Sequence, residues 1–270
     1  MKKIIITCSL ILILALIASG CGTKNTEQKD EQKVLKVGVT AGPHEAIVEK
    51  VKELAAKEGL TIEVVPFNDY IQPNIQLADG NIDLNSFQHE PYLDKFKADR
   101  NLKIVKIANT VNFPMGIYSK KIKNVNELKN GDKVGLPNDP TNEARALQLF
   151  ELAGLIKLKE KAGVKATLSD IVENPKNLEF IELEAPIILR TLPDLAAAAI
   201  NTNFIVQAGM LPARDSIFIE PKDSPWVNII ASREGEENNP LFKKFVEIYR
   251  SQEVKDFINE KYKDSVIPSW

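Results

Sequence analysis

Two hydrophobic periods alternate along the chain. Val34 to Val39 follows the two-residue period of a strand and is rich in β-branched residues. Thr40-Ala41-Gly42-Pro43 breaks it, and Ile47, Val48, Val51, Leu54 and Ala55 then recur at helical spacing up to Gly59. Thr61 to Val65 returns to strand, which predicts a parallel pair joined by a helix. The pattern continues with a short helix over Ile75 to Ala78, ended by Gly80, and a short strand over Ile82 to Leu84. A helix over Pro91 to Lys97 and a strand over Lys103 to Ala108 follow. It restarts after Phe113-Pro114 with a strand over Lys133 to Leu136 and a helix from Asp139-Pro140 to about Ala153, closed by Gly154. Asp139 suits the N-cap and Pro140 the first helical position. Strands are expected over Leu178 to Leu183, Ala197 to Ile200, Ile217 to Glu220 and Val227 to Ala231. A helix capped by Asn239-Pro240 turns Phe242, Phe245, Val246 and Tyr249 inward, and Val254 to Tyr262 is also helical. Two rounds of mixed strands and helices predict an α/β chain with two lobes.

The first residues carry a different pattern. Lys2 and Lys3 precede a mostly apolar run from Ile4 to Ala18, shorter than the roughly twenty residues of a spanning helix. Positive head, short apolar core and small residues make a secretory signal over 1–20. Ala18-Ser19-Gly20-Cys21 resembles the bacterial lipobox, with Ala18 where leucine is usual. That resemblance implies removal of 1–20 and lipidation of Cys21. Residues 21–33 then read as a polar, flexible tether with a span of about 20 Å. The folded body would stay at the extracytoplasmic face of the cell membrane.

Composition narrows the chemistry. The formal charge of −2 becomes −4 without Lys2 and Lys3, so no basic excess invites nucleic acid. Cys8 leaves with the signal and Cys21 carries lipid, so no thiol remains for a disulfide, metal or redox site. Phosphate-loop, nucleophile-elbow and H-E-x-x-H patterns are missing, and His44 and His89 are the only histidines. No enzyme, cofactor or metal site is expected.

What remains points to binding. Asn138 to Arg145 places a helix N-terminus after a strand, a setting that favours an anion, with Asn142 and Arg145 on one helix face. A guanidinium can grip a carboxylate with two parallel hydrogen bonds; a surface salt bridge is the plain alternative. Phe87, His89 and Tyr92, with Tyr70, set aromatic walls and polar edges at strand-to-helix joins. Their plain alternatives are core packing and, for His89, a helix cap. Asn201 ends one apolar strand and Asn228 lies inside another, where a buried amide needs a partner. His44 reads as local structure at a helix start.

Several segments in order carry a family resemblance: Phe67 to Asn74 (FNDYIQPN), Phe87 to Leu93 (FQHEPYL), Pro137 to Asn142 (PNDPTN), Ile171 to Leu178 (IVENPKNL) and Asp223 to Asn228 (DSPWVN). With the lipobox, they make the chain resemble the methionine-binding lipoproteins of bacterial ABC importers, the NlpA group, from the signal to Trp270. The resemblance implies a type II-like periplasmic-binding-protein fold, with lobe 1 at 34–111 and 226–270 and lobe 2 at 112–225. Two crossing segments, near 109–114 and 224–228, would flank a central ligand cleft. It implies that Arg145 pairs the ligand carboxylate, that Asn142, Asn201 and Asn228 bond its carboxylate and amino ends, and that Tyr70, Phe87, His89 and Tyr92 enclose the side chain. Ser86 stands where some members carry an aromatic, and Asn203, in a variable stretch, is not assigned to the site. A monomer that does no chemistry, delivers methionine to an ABC permease and has that permease's ATPase as an indirect partner is the expectation. The same fold selecting another amino acid or a short peptide, or a surface interaction lipoprotein, stays open.

Overall fold

Strand β1 (Leu35–Thr40) and β2 (Ile62–Phe67) pair in parallel across helix α1 (Pro43–Lys57), as the alternating pattern predicts. The computed structural model describes residues 34–270, so the signal at 1–20, the tether at 21–33 and Cys21 lie outside the described residues. Helix α2 (Gln72–Ala78) leads to β3 (Leu84–His89), α3 (Glu90–Arg100), β4 (Ile104–Asn112) and β5 (Gly116–Tyr118). Next come β6 (Lys133–Pro137), α4 (Pro140–Leu152) and the small antiparallel pair β7 (Lys157–Leu158) and β8 (Ile171–Glu173). The chain then forms β9 (Glu179–Leu183), α5 (Ala185–Thr191), β10 (Ala197–Ile200), α6 (Thr202–Gln207), α7 (Pro212–Asp215) and β11 (Phe218–Ile219). It ends with β12 (Val227–Arg233), α8 (Pro240–Tyr249), α9 (Gln252–Tyr262) and β13 (Ile267–Pro268).

These strands make two main sheets. One has the order β13-β4-β12-β3-β1-β2 and the other β11-β5-β10-β6-β9. The chain leaves the first sheet once, between Asn112 and Gly116, and returns once, between Ile219 and Val227. Both passages are tied together: Asn112 Nδ2 donates to Ser224 O at 3.1 Å, and Glu220 N donates to Met115 O at 2.9 Å. Each sheet has its own core. Val37, Val39, Ile47, Val51, Phe245 and Tyr249 pack β1 against α1 and α8. Leu136, Leu147, Phe150 and Ala197 pack α4 against the second sheet.

Strand β3 differs from expectation. The sequence predicts a strand ending at Leu84 and a join after it, yet β3 continues to His89 with every residue buried. A central strand tolerates Asn85 and Gln88 because their amides bond one another and Asn74. Gln88 and Asn74 exchange two hydrogen bonds of 2.7 Å, and Asn85 Nδ2 reaches Asn74 Oδ1 at 2.9 Å. His89 is also the α3 N-cap, accepting from Tyr92 N at Nδ1.

Candidate functional site

The C-terminal ends of β1, β2, β3, β6 and β10 lead into residues that line one cavity, the usual ligand position in open α/β sheets. From the first sheet, β3 brings Phe87 and His89 to it, two apart and therefore on one face. Asn228, at the start of antiparallel β12, pairs with His89 in register and reaches the same cavity. From the second sheet, β6 feeds α4, whose Asn142 and Arg145 line the opposite wall, and β10 feeds Asn201. Tyr70 and Tyr92 complete the wall, so all the residues expected at a site line this one cavity.

The aromatic side is continuous. Tyr70 lies 6.1 Å from Phe87, 6.0 Å from Tyr92 and 5.4 Å from Phe204, which belongs to the other sheet's side. Tyr92 Oη donates to Tyr70 O at 2.9 Å and fixes the loop that carries Tyr70. Across the cavity, Tyr70 Oη donates to Asn203 Oδ1 at 2.5 Å.

The polar side is a network. Asp139 caps α4 by accepting from Asn142 N, and it accepts from Asn142 Nδ2 as well, all at 3.0 Å. That fixes Asn142 Oδ1 as an acceptor, which takes Asn201 Nδ2 at 2.8 Å and His89 Nε2 at 3.3 Å. His89 accepts at Nδ1, so its proton sits on Nε2 and points at Asn142. Arg145 is held by more than its helix. Its Nε donates to Glu220 Oε1 at 2.8 Å, and its Nη2 donates to Glu220 Oε2 at 2.6 Å and to Phe113 O at 2.7 Å. Both side chains of this pair are almost wholly buried. The plain alternative of a surface salt bridge is therefore wrong for Arg145, while the helix cap and the core packing hold for His89, Phe87 and Tyr92 alongside their cavity position.

Several relatives share this chain. The family model described as NlpA lipoprotein matches residues 35–270. The chain belongs to the NlpA lipoprotein family. The D-methionine-binding lipoprotein MetQ of Escherichia coli (strain K12) is 46% identical over 262 residues, covering 96% of this chain and 95% of that protein. A solved nutrient binding protein from Burkholderia cenocepacia bound to methionine is 46% identical. It superposes with a TM-score of 0.85 over 87% of this chain and 100% of that one. The solved methionine binding protein MetQ, also 46% identical, superposes at 0.85 over 88% of this chain and 98% of that one. This NlpA family member therefore has the two-lobed fold of periplasmic substrate-binding proteins.

The electrostatics suit a neutral, enclosed site. Burial holds His44 and His89 to pKa values of about 3, with nearby Arg145 adding to the effect on His89, so both rings are neutral at pH 7. Burial raises the phenols of Tyr70 and Tyr92, and it raises the Asp139 carboxyl against the hydrogen bonds that lower it. Among the described residues, Asn201 Oδ1, Asn203 Nδ2 and His44 Nδ1 are buried and make no hydrogen bond. No group of three His, Cys, Asp or Glu among them can hold a metal, and no helix among them is long and apolar enough to cross a membrane.

Several neighbours of the cavity carry no local signal in the sequence. His44, assigned to local structure, lines the cavity and packs on Phe113 at 4.6 Å. It gets there because Gly42 takes φ 99° and turns β1 sharply into α1, close to α6. Asn203, left out of the expected site, also lines the cavity and bonds Tyr70. Gln88 and Thr202 line it too, and Thr202 Oγ1 donates to Pro114 O on the passage between sheets. The largest omission is Glu220, seventy-five residues from Arg145 in sequence.

Proposed function

We propose that this protein is a lipid-anchored, extracytoplasmic substrate-binding protein that captures methionine between its lobes and presents it to an ABC importer. One observation carries the reading: a guanidinium, several buried amides and an aromatic wall converge on a single cavity between two sheets. A free amino acid loses strong hydration when enclosed, so its charged ends need replacement partners. Arg145 and the amide donors suit the carboxylate, and the unpaired Asn201 Oδ1 suits the ammonium. Tyr70, Phe87, His89 and Tyr92 offer a thioether the aromatic contacts it favours. Asn142 orients His89 and Asn201, and Asn228 closes the wall beside His89. The names of the relatives supply the ligand identity in this reading, and the geometry is compatible with it.

Lobe 1 comprises 34–111 and 226–270 and lobe 2 comprises 112–225, hinged at the two passages between sheets. Bound ligand favours the closed arrangement because only there do both lobes touch it. The permease then reads the closed surface, and the protein itself performs no reaction. Native mass spectrometry of gently purified protein is expected to show one methionine bound; another amino acid or a dipeptide in its place would redirect the specificity. Tyr70→Phe removes the Tyr70–Asn203 bond between the lobes and should weaken ligand binding by about 1 kcal/mol, near fivefold, with little change in the far-UV spectrum. Calorimetry showing equal affinity for the two proteins would deny that bond a role in closure.

The anchor rests on Cys21. A soluble body on a lipidated cysteine stays at the membrane when it carries two or more acyl chains. Cys21→Ser is expected to lose metabolic label from a fatty-acid analogue and to leave the membrane fraction or accumulate as precursor. Undiminished label in that variant would place the modification elsewhere.

A further inference from the structure

The ion pair behind the cavity changes what the cavity can accept. Arg145 does not present a free cation. Glu220 takes its Nε and Nη2 edge in two hydrogen bonds, and Phe113 O takes Nη2 again. Nη1 makes no hydrogen bond among the described residues, while Arg145 still lines the cavity. Glu220 is itself held from two sides, accepting from Met115 N at 2.9 Å and from Ser224 Oγ at 3.3 Å. Those partners belong to the two passages between the lobes. The Arg145 Cζ lies over the Trp226 ring, 5.5 Å from its centroid.

We propose that Glu220 is a charge-setting and positioning residue, which holds Arg145 by its Nε and Nη2 side and offsets much of its charge so that the cleft takes zwitterionic α-amino acids and rejects anions of the same shape. The inference rests on the amino-acid reading above and deepens it. The other groups around the cavity agree in sign. His44 and His89 are neutral, the Asp139 carboxyl beside the polar network is raised by burial and tied to Asn142, and the neighbouring Glu143 accepts from Leu168 N. A ligand carboxylate meets only the Nη1 end of a guanidinium whose charge Glu220 largely offsets, so its own ammonium is needed to keep the buried site close to neutral. A carboxylate without an ammonium adds an uncompensated charge to an enclosed site.

Methionine and its deaminated acid, 4-(methylthio)butanoate, are the probes, measured by calorimetry on ligand-stripped protein. The wild type is expected to prefer methionine by at least about a hundredfold. Glu220→Gln leaves the Arg145 charge unbalanced, so the preference should narrow by about tenfold, with the deaminated acid gaining affinity in absolute terms. Glu220→Asp keeps the charge on a shorter arm. Both affinities should fall together there, leaving the ratio within about threefold of wild type. Equal losses for both ligands in a folded Glu220→Gln protein would make Glu220 merely structural and overturn the proposal. If Glu220→Gln does not fold, Glu220→Asp decides: a narrowed ratio there contradicts charge setting. If the wild type binds no methionine, the methionine reading fails separately, and the same pair of variants is then tested with the amino acid that co-purifies and its deaminated acid.

Discussion

Arg145→Ala is expected to lower stability as well as affinity. Truncation leaves the Glu220 carboxylate buried with only Met115 N and Ser224 Oγ as partners. Breaking a buried pair from one side costs about 3–5 kcal/mol, because the remaining charge has lost its compensation. The urea midpoint should fall accordingly, and Phe113 O loses its donor in the same step. Ligand affinity should drop by about 2–5 kcal/mol, since the carboxylate of an enclosed ligand then faces Glu220 without the guanidinium between them. Arg145→Lys should recover only part of both losses, because an ammonium cannot serve Glu220 through two parallel bonds and still offer an edge to the cavity. The double variant Arg145→Met with Glu220→Gln removes both charges and should recover most of the stability while leaving binding impaired. An unchanged midpoint in Arg145→Ala would contradict the buried pair.

Acid should weaken the fold through two histidines. His44 and His89 titrate near 3 when folded, chiefly because burial disfavours their charged forms, against about 6.5 when unfolded. The unfolded chain therefore binds protons first. The stability is fully present above pH 6.5 and is lost as pH falls toward 3. The slope approaches about 1.4 kcal/mol per pH unit for each ring. Between pH 7 and pH 5 the two together should remove about 4 kcal/mol. Asp139 and Glu143, raised by burial, act in the opposite sense between their ordinary and their raised values, since there their folded forms keep protons that the unfolded chain releases. Urea melts at pH 7 and pH 5 measure the difference. His44→Gln and His89→Gln should each flatten it by about half, and an undiminished pH dependence in the double variant would assign the acid sensitivity to other groups.

The elements visible in the sequence are those with strong local signals. Helix α4 begins where Asp139 and Pro140 predict, and α1 and α8 carry their apolar faces as the spacing requires. Helix α6 has no side-chain cap, and β7 and β8 are short and largely exposed, so their apolar pattern is too brief to read. The run from Asn85 to His89 looks like a join because polar residues in a central strand need partners that one sequence does not display. Asn74, eleven residues away, is one of them. The site divides in the same manner. Arg145, Asn142, His89 and the aromatic residues stand in motifs at element ends, and the cavity gathers them. Asn203 sits beside them in a stretch without such a motif. Glu220 closes a short strand with no local hint of a partner, and only the fold brings it to Arg145.

Thermal unfolding of ligand-stripped protein with each common amino acid and norleucine measures methionine capture. For a dissociation constant on the order of 1 μM and about 1 mM ligand, mass action adds about 4 kcal/mol to the native state. At about 2–4 °C per kcal/mol for a chain of this size, methionine should raise the melting temperature by roughly 8–16 °C. Norleucine, which exchanges the sulfur for a methylene, should give a smaller shift, by about 0.3–1.5 kcal/mol in affinity, and leucine, branched earlier, a smaller one still. Methionine giving the largest shift of the series is the predicted result; a shift no larger than that of leucine or glutamine would contradict the assignment.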